Sequence, residues 1–254
     1  MHGKWDKDAK VTDMDVNSTM TRAMASGGKS YPAVYRKVSQ ALREFEIRAG
    51  TLLDLGCGRG FLWRYVSDLF SNYIGVDLIR YEDFPESAAL IVSNLNSGQV
   101  PLAAGCADVV TAIETIEYLE NPSGFMRELT RLAKPGGTIV VSTKNHLSLL
   151  SKVNLLIKNR FVALKDRADY YPTSMNALLE INLVRMAHEC RLTDLRVIYT
   201  NDGRIPFSAL RWPGLLGLRG RHFSDNVLLV GRKPPDVTTV HSPNDEQSGI
   251  DGPI

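Results

Sequence analysis

The segment 51–60, TLLDLGCGRG, constrains this chain more than any other stretch. An apolar run ends at Leu55, glycines follow at Gly56, Gly58 and Gly60, and apolar residues then recur at helical spacing. Glycine lets the backbone turn tightly and come close to a ligand, whose polar groups meet the amide donors of a helix N-terminus. In a parallel sheet such a turn falls at the carboxyl end of a strand, where ligands bind near the reversal of strand order. A strand, a glycine loop and a helix in this order imply a nucleotide-like ligand.

The rest of the chain supplies the sheet. Apolar runs at 51–55, 73–78, 89–93, 108–113 and 138–143 read as buried strands, spaced to leave room for crossover helices. Val34, Val38, Ala41, Leu42 and Phe45 make 32–47 an amphipathic helix, and Leu62, Tyr65, Val66 and Leu69 form a second apolar stripe. A third helix starts at Asn121-Pro122, cap and first turn, carries Phe125, Leu129, Leu132 and Ala133, and stops at Lys134-Pro135-Gly136-Gly137. A further helix near 174–190 and strands near 194–200 and 226–231 complete an α/β domain with helices on both faces of a mostly parallel sheet. The expected organisation is a flexible N-terminal arm over 1–28, one domain over 29–233 with a lid insertion at about 144–185, and a disordered acidic tail over 234–254.

Composition removes other classes. With 44% hydrophobic and 23% charged residues, the 254-residue chain can bury a core and is neither fibrous nor wholly disordered. A net charge of +2 is too small for a dedicated nucleic-acid binder, so no nucleic-acid partner is expected. Cys57, Cys106 and Cys190 lie far apart without a C-x-x-C pair, against a disulfide framework and against a metal site. The charged start MHGKWDKDAK and the lack of an 18-residue apolar window predict no transmembrane segment and a cytoplasmic location.

Glycine spacing narrows the ligand. A dinucleotide fingerprint reads G-x-G-x-x-G, whereas this chain reads G-x-G-x-G with Phe61 where the third glycine would stand. A nicotinamide-dependent oxidoreductase is therefore the weaker alternative, and a cofactor-binding module without catalysis is another. Asp77 ends the second strand 21 residues after Gly56, where a carboxylate can accept bonds from both hydroxyls of a ribose. Asp54, two residues before the loop, puts a second carboxylate beside the site; it disfavours pyrophosphate and suits a cation.

LLDLGCGRG, the acidic strand end in IGVDL, and DVVTAIETIEYLENP followed by FMRELTRLAKPGGTIVVST together resemble class I S-adenosylmethionine-dependent methyltransferases, over about residues 30–200. The resemblance implies a Rossmann-like seven-stranded sheet whose last strand runs antiparallel, with S-adenosyl-L-methionine as cofactor. It implies that Gly56, Cys57, Gly58 and Gly60 form the loop at the methionine part, that Asp77 and Leu78 meet the ribose, and that Asn94 and Leu95 face the adenine. The family commonly has aspartate at the position of Asn94, whose carbonyl can still accept a bond from the adenine amine. Glu114, ending the fourth strand, faces the cofactor by the same analogy, and Asp54 is placed with these cofactor residues.

His146 follows the fifth strand in STKNH, at the rim where acceptors bind, and is the candidate general base. The expected reaction is methyl transfer to a small-molecule acceptor, an oxygen of a sugar, a lipid-linked compound or another metabolite. Positive charge is focused: 144–167 and 203–233 each hold six basic residues against one acidic residue. Leu149, Leu150, Val153, Leu156 and Ile157 lie among the first group. Such segments form either a lid packed on the domain or a surface for peripheral membrane contact and an anionic or lipid-linked acceptor.

Overall fold

A computed structural model describes residue 24 and residues 27–47, 50–164, 174–212 and 217–236. Most of the N-terminal arm, residues 165–173 of the lid and residues 237–254 of the tail lie outside the described residues. The elements are α1 (Pro32–Glu44), β1 (Thr51–Leu55), α2 (Trp63–Val66), β2 (Asn72–Asp77), β3 (Ala89–Val92), β4 (Ala107–Ile113), α3 (Pro122–Leu132), β5 (Ala133–Lys144), α4 (Leu149–Lys158), α5 (Glu180–Glu189), β6 (Thr193–Tyr199) and β7 (Asn226–Arg232). They build one seven-stranded sheet in the order β3-β2-β1-β4-β5-β7-β6. Strands β1 to β5 are parallel, and β7 runs antiparallel between β5 and β6. The predicted sheet, with its one reversed strand, is the sheet observed.

Alternation along the strands sorts the core onto two faces, as the period of two in a strand requires. Leu52, Val109, Val140 and Leu228 pack with Val34, Val38 and Leu42 of α1 and Val66 of α2. Their neighbours Leu53, Val110, Val141 and Leu229 pack on the other side with Phe125 and Leu129 of α3 and Leu183 of α5. Both faces are covered by helices, which is why the strands read as unbroken apolar runs.

Two helices differ from the sequence reading. The stripe Leu62, Val66 and Leu69 is buried, but α2 itself spans only four residues, because the turns flanking it bury the same side chains. The helix expected over 174–190 occupies Glu180–Glu189; the stretch before it is pinned to the sheet's end, where Met175 and Asn176 donate backbone N–H groups to the Glu117 carbonyl at 2.9 and 3.0 Å. α3 matches its punctuation, with Pro122 in the first turn and Asn121 Oδ1 accepting from the Gly124 amide at 2.8 Å.

Candidate active site

Strand order reverses between β1 and β4, so their carboxyl ends diverge and leave a crevice. A cavity of about 300 Å³ lies there. The loop after β1 lines it with Gly56, Cys57 and Gly58, the end of β2 with Asp77 and Leu78, the turn after β3 with Asn94 and Leu95, and the end of β4 with Glu114 and Thr115. Asp54 also contributes to its wall. Residues predicted from four separate strand ends thus converge on one space.

Gly60 is the exception and does not line this cavity. A Cβ there would lie 2.6 Å from Pro85 Cδ and 3.0 Å from the Phe84 ring, so Gly60 permits packing of the 84–85 segment. The other two glycines also answer to protein neighbours. A Cβ on Gly56 would fall 2.2 Å from Thr115 Oγ1, and one on Gly58 would fall 2.3 Å from the Gly28 carbonyl oxygen. All three have positive φ, at 75°, 53° and 70°, where a side chain is strained in any case.

The Gly28 contact identifies a wall that sequence reasoning missed. Arg59 donates its backbone N–H to the Gly28 carbonyl at 2.9 Å and its Nε–H to the Gly27 carbonyl at 2.8 Å. The Tyr35 hydroxyl accepts from the Ser30 amide at 2.8 Å. Gly28, Lys29, Ser30 and Tyr35 consequently line the cavity, and the end of the segment read as an arm is part of the site. No periodicity marks these residues; only their long-range bonds place them.

Asp77 Oδ2 accepts from the Gly58 amide at 2.8 Å and Oδ1 from the Ile79 amide at 3.2 Å. One carboxylate therefore fixes the glycine loop and keeps further lone pairs for a ligand. Burial raises its pKa, against the lowering effect of those amides. Asp54 is more deeply placed: Tyr73 and Thr111 donate their hydroxyls to it at 2.9 and 2.7 Å, and burial lifts its pKa to about 6. Asn94 Oδ1 already accepts from the Asn96 amide at 3.0 Å, as an N-terminal cap of the turn 95–97, and retains a second lone pair. Burial pushes the Cys57 thiol well up, which makes it an inert wall group.

Glu114 has φ 51°, an uncommon conformation for a side-chain-bearing residue, held by its amide donating to the Ser142 carbonyl at 3.1 Å and to Ser142 Oγ at 3.0 Å. Its carboxylate pairs with the Lys144 ammonium at the end of β5 and accepts from Asn226 Nδ2 at 2.6 Å. Burial opposes ionisation, but the Lys144 charge and these bonds outweigh it and bring the Glu114 pKa below its ordinary value. Glu114 thus faces the cavity as half of an ion pair. Three residues further on, Glu117 is fully buried, its carboxylate oxygens are out of hydrogen-bond geometry with any donor among the described residues, and the Thr143 side chain and Lys144 charge favour its ionised form only weakly against burial. Desolvation first, and the Glu114 charge second, raise its pKa to about 8, so it is predominantly protonated at neutral pH.

A second cavity, of about 190 Å³, adjoins the first, with Tyr118 and Lys144 lining both. Its other walls include His146, Ser148, Ser151, Ser174, Arg204 and Asp225. The His146 ring is buried, tilts against Phe161 at 4.8 Å between centroids, and holds Nε2 without a partner. Burial, then the nearby Lys144 charge, press its pKa down to about 4, so the ring is neutral throughout the physiological range. His146 therefore stands beside the cofactor cavity, not in it.

Residues 53–141 match the family described as a methyltransferase domain. That match takes in the glycine loop and the acidic end of β2, and the fold is shared with solved S-adenosylmethionine-dependent methyltransferases. Among relatives, a chloroplastic tocopherol O-methyltransferase of Arabidopsis thaliana is 28% identical, over 85% of this chain and 65% of its own length. A ubiquinone biosynthesis O-methyltransferase of Methylococcus capsulatus is 34% identical, over 37% of this chain and 43% of its own. The chain thus spans under two thirds of the length of either relative.

Among solved structures, a SAM dependent methyltransferase from Archaeoglobus fulgidus superposes with a TM-score of 0.56 at 18% identity, covering 78% of this chain and 94% of that one. The cyclase SpnF superposes with a TM-score of 0.51 at 16% identity, covering 87% of this chain and 93% of that one. A methyltransferase and a cyclase on one fold show that the reaction must be argued from the site.

The first cavity's chemistry fits S-adenosyl-L-methionine, the cofactor of this class. Asp77 offers carboxylate acceptors for a ribose, and Asn94 with Leu95 offers one acceptor beside an apolar surface for a purine. Asp54, Asp77 and Glu114 oppose only Lys29 and Lys144 within the walls, an acidic excess that suits a sulfonium and an ammonium group.

Proposed function

We propose that this protein transfers the methyl group of S-adenosyl-L-methionine to a hydroxyl oxygen of a small-molecule acceptor held in the second cavity. The observation that carries the reading is the shared wall. Tyr118 and Lys144 line both cavities, so an acceptor in the second would lie next to the cofactor space, with only these two side chains as their common wall. The tocopherol and ubiquinone-biosynthesis relatives support oxygen as the attacked atom, since both are named O-methyltransferases.

The cofactor brings an activated methyl group on a sulfonium; the protein has to align the acceptor and keep water out. Asp77, held in place by the Gly58 amide, and Asn94 would hold the cofactor. Tyr118 and the Lys144 ammonium, fixed by Glu114, shape the passage. His146 offers a neutral imidazole to an acceptor hydroxyl. A base matched to neutral pH would have a pKa near 7. With its pKa at about 4, His146 serves to orient the attacking oxygen more than to store its proton. Glu117 is protonated at neutral pH and lines neither cavity, so it is not a competing base. A reducing, cytoplasmic setting belongs to the same reading, as the three cysteines are free.

The test is a panel of phenolic, sugar and isoprenoid-linked hydroxyl acceptors incubated with the protein and S-adenosyl-L-methionine. Mass spectrometry should find an acceptor gaining one methyl group in step with S-adenosylhomocysteine. Tight cofactor binding without turnover on any member would refute this acceptor class and favour the binding-module alternative.

A further inference from the structure

Helix α4 is packed on the domain only in its N-terminal half. Only Ser151 in it is buried, whereas Leu156 is 86% and Ile157 62% exposed. The apolar face expected to rest on the domain therefore meets solvent in its C-terminal half. A second exposed apolar element stands nearby. Arg204 and Arg211 form an antiparallel bridge, and the loop between them carries Phe207, 84% exposed with φ 61°, and Leu210, 69% exposed.

These two elements flank the same space. Leu150 and Ser151 of α4 and Arg204 of the bridged loop all line the second cavity. Lys152 Nζ, on α4, lies 3.2 Å from Nδ1 of His222, in the segment that follows the loop. The charges around the apolar groups are of one sign in excess. Arg204 and Arg211 pair with Asp225 and Asp202, but Lys158 and Arg160 at the end of α4 have no acidic partner among the described residues. Large apolar side chains standing in water beside cations that have no acidic partner among the described residues are the composition of an interfacial surface.

We propose that α4 and the 204–211 loop dock on an anionic lipid bilayer, with Leu156, Ile157, Phe207 and Leu210 entering the interface and Lys158 and Arg160 meeting lipid headgroups. Charge complementarity selects this occupant: a neutral apolar partner would leave both cations unanswered. Docking brings the elements that wall the second cavity against the bilayer, which presents bilayer-dissolved acceptors to it. That consequence rests on the proposed reaction; the docking does not.

The full chain should sediment with vesicles of phosphatidylcholine containing phosphatidylglycerol at low salt, and release as salt rises past the screening length. Lys158→Gln with Arg160→Gln should weaken partitioning about fivefold per charge removed. Leu156→Ser with Ile157→Ser should weaken it about tenfold per side chain, in high salt as well as low. Cofactor affinity, measured by calorimetry on the same samples, should not change in either variant. Absence of sedimentation with the anionic vesicles would overturn the proposal, as would equal binding by wild type and both double variants. Loss of self-association in the Leu156 and Ile157 variant, without vesicle binding by wild type, would assign the patch to a second copy of the chain. A failed acceptor screen would leave the sedimentation result standing, so the two readings fail separately.

Discussion

Glu117 makes stability depend on pH in a way that one substitution should erase. Its carboxyl is fully buried, and burial first, then the Glu114 charge, raise its pKa to about 8 from 4.5 against the weaker opposing effects of Lys144 and Thr143. A raised folded-state pKa favours the fold while the group is protonated in both states. The contribution is fully present below about pH 4.5 and is lost as pH climbs through about 8. At about 1.4 kcal/mol per unit, the penalty reaches roughly 3 kcal/mol at neutral pH and roughly 5 kcal/mol above pH 8. Because the site is buried, solvent does not screen this cost, and it is a large share of a typical domain stability of about 5–15 kcal/mol. Glu117→Gln keeps the volume and the neutral form but cannot ionise. Denaturant unfolding of both proteins from pH 5 to 8.5 should give nearly equal stability at the acidic end. The variant should then gain steadily, by roughly 3 kcal/mol at pH 7. Subtracting the two curves removes Asp54, His146 and the other titrating groups that do not interact with Glu117; Glu114 and Lys144, which do, are part of the difference. A difference that stays flat over this range would refute the assignment and place a compensating partner on the Glu117 carboxyl.

Asp77→Ala removes an acceptor for the ribose and the bond that fixes the Gly58 amide, so calorimetry should show S-adenosylmethionine binding weakened by roughly 2–4 kcal/mol; unchanged affinity would take Asp77 out of the site. Gly58→Ala should lower unfolding stability by at least about 2 kcal/mol, because its Cβ runs into the Gly28 backbone at positive φ. If the variant kept full stability and lost only cofactor binding, that glycine would be clearing space for ligand instead. His146→Ala should reduce turnover on the true acceptor by roughly 10- to 100-fold, with cofactor affinity retained. Equal turnover would leave positioning to Tyr118 and Lys144.

What the sequence determined by itself is everything with a short period or a local punctuation mark. Buried strands between helices declare themselves as apolar runs, so six of the seven were legible to within a residue, whereas β5 begins at Ala133, five residues before the apolar run, and takes in the Lys134-Pro135-Gly136-Gly137 stretch read as the end of α3; the start of α3 was legible from Asn121 and Pro122. Asp77, Leu78, Asn94, Leu95 and Glu114 were legible for the same reason: they end or follow strands, and parallel strand ends share one edge. Tertiary structure alone decided what those side chains meet. Glu114 finds Lys144 and Asn226, 30 and 112 residues away, and becomes an ion pair whose partner no local pattern names. Gly60 has the same spacing logic as Gly56 yet serves Phe84 and Pro85, because a missing Cβ is silent about which neighbour needs the space. Gly28 to Ser30 enter the cavity wall through a bond that the Gly28 carbonyl accepts from Arg59 and one that the Ser30 amide donates to Tyr35. The face of α4 was visible as an apolar stripe, but a stripe has the same period whether it packs on a core or stands in water. Only the folded neighbours of Leu156 and Ile157 distinguish the two.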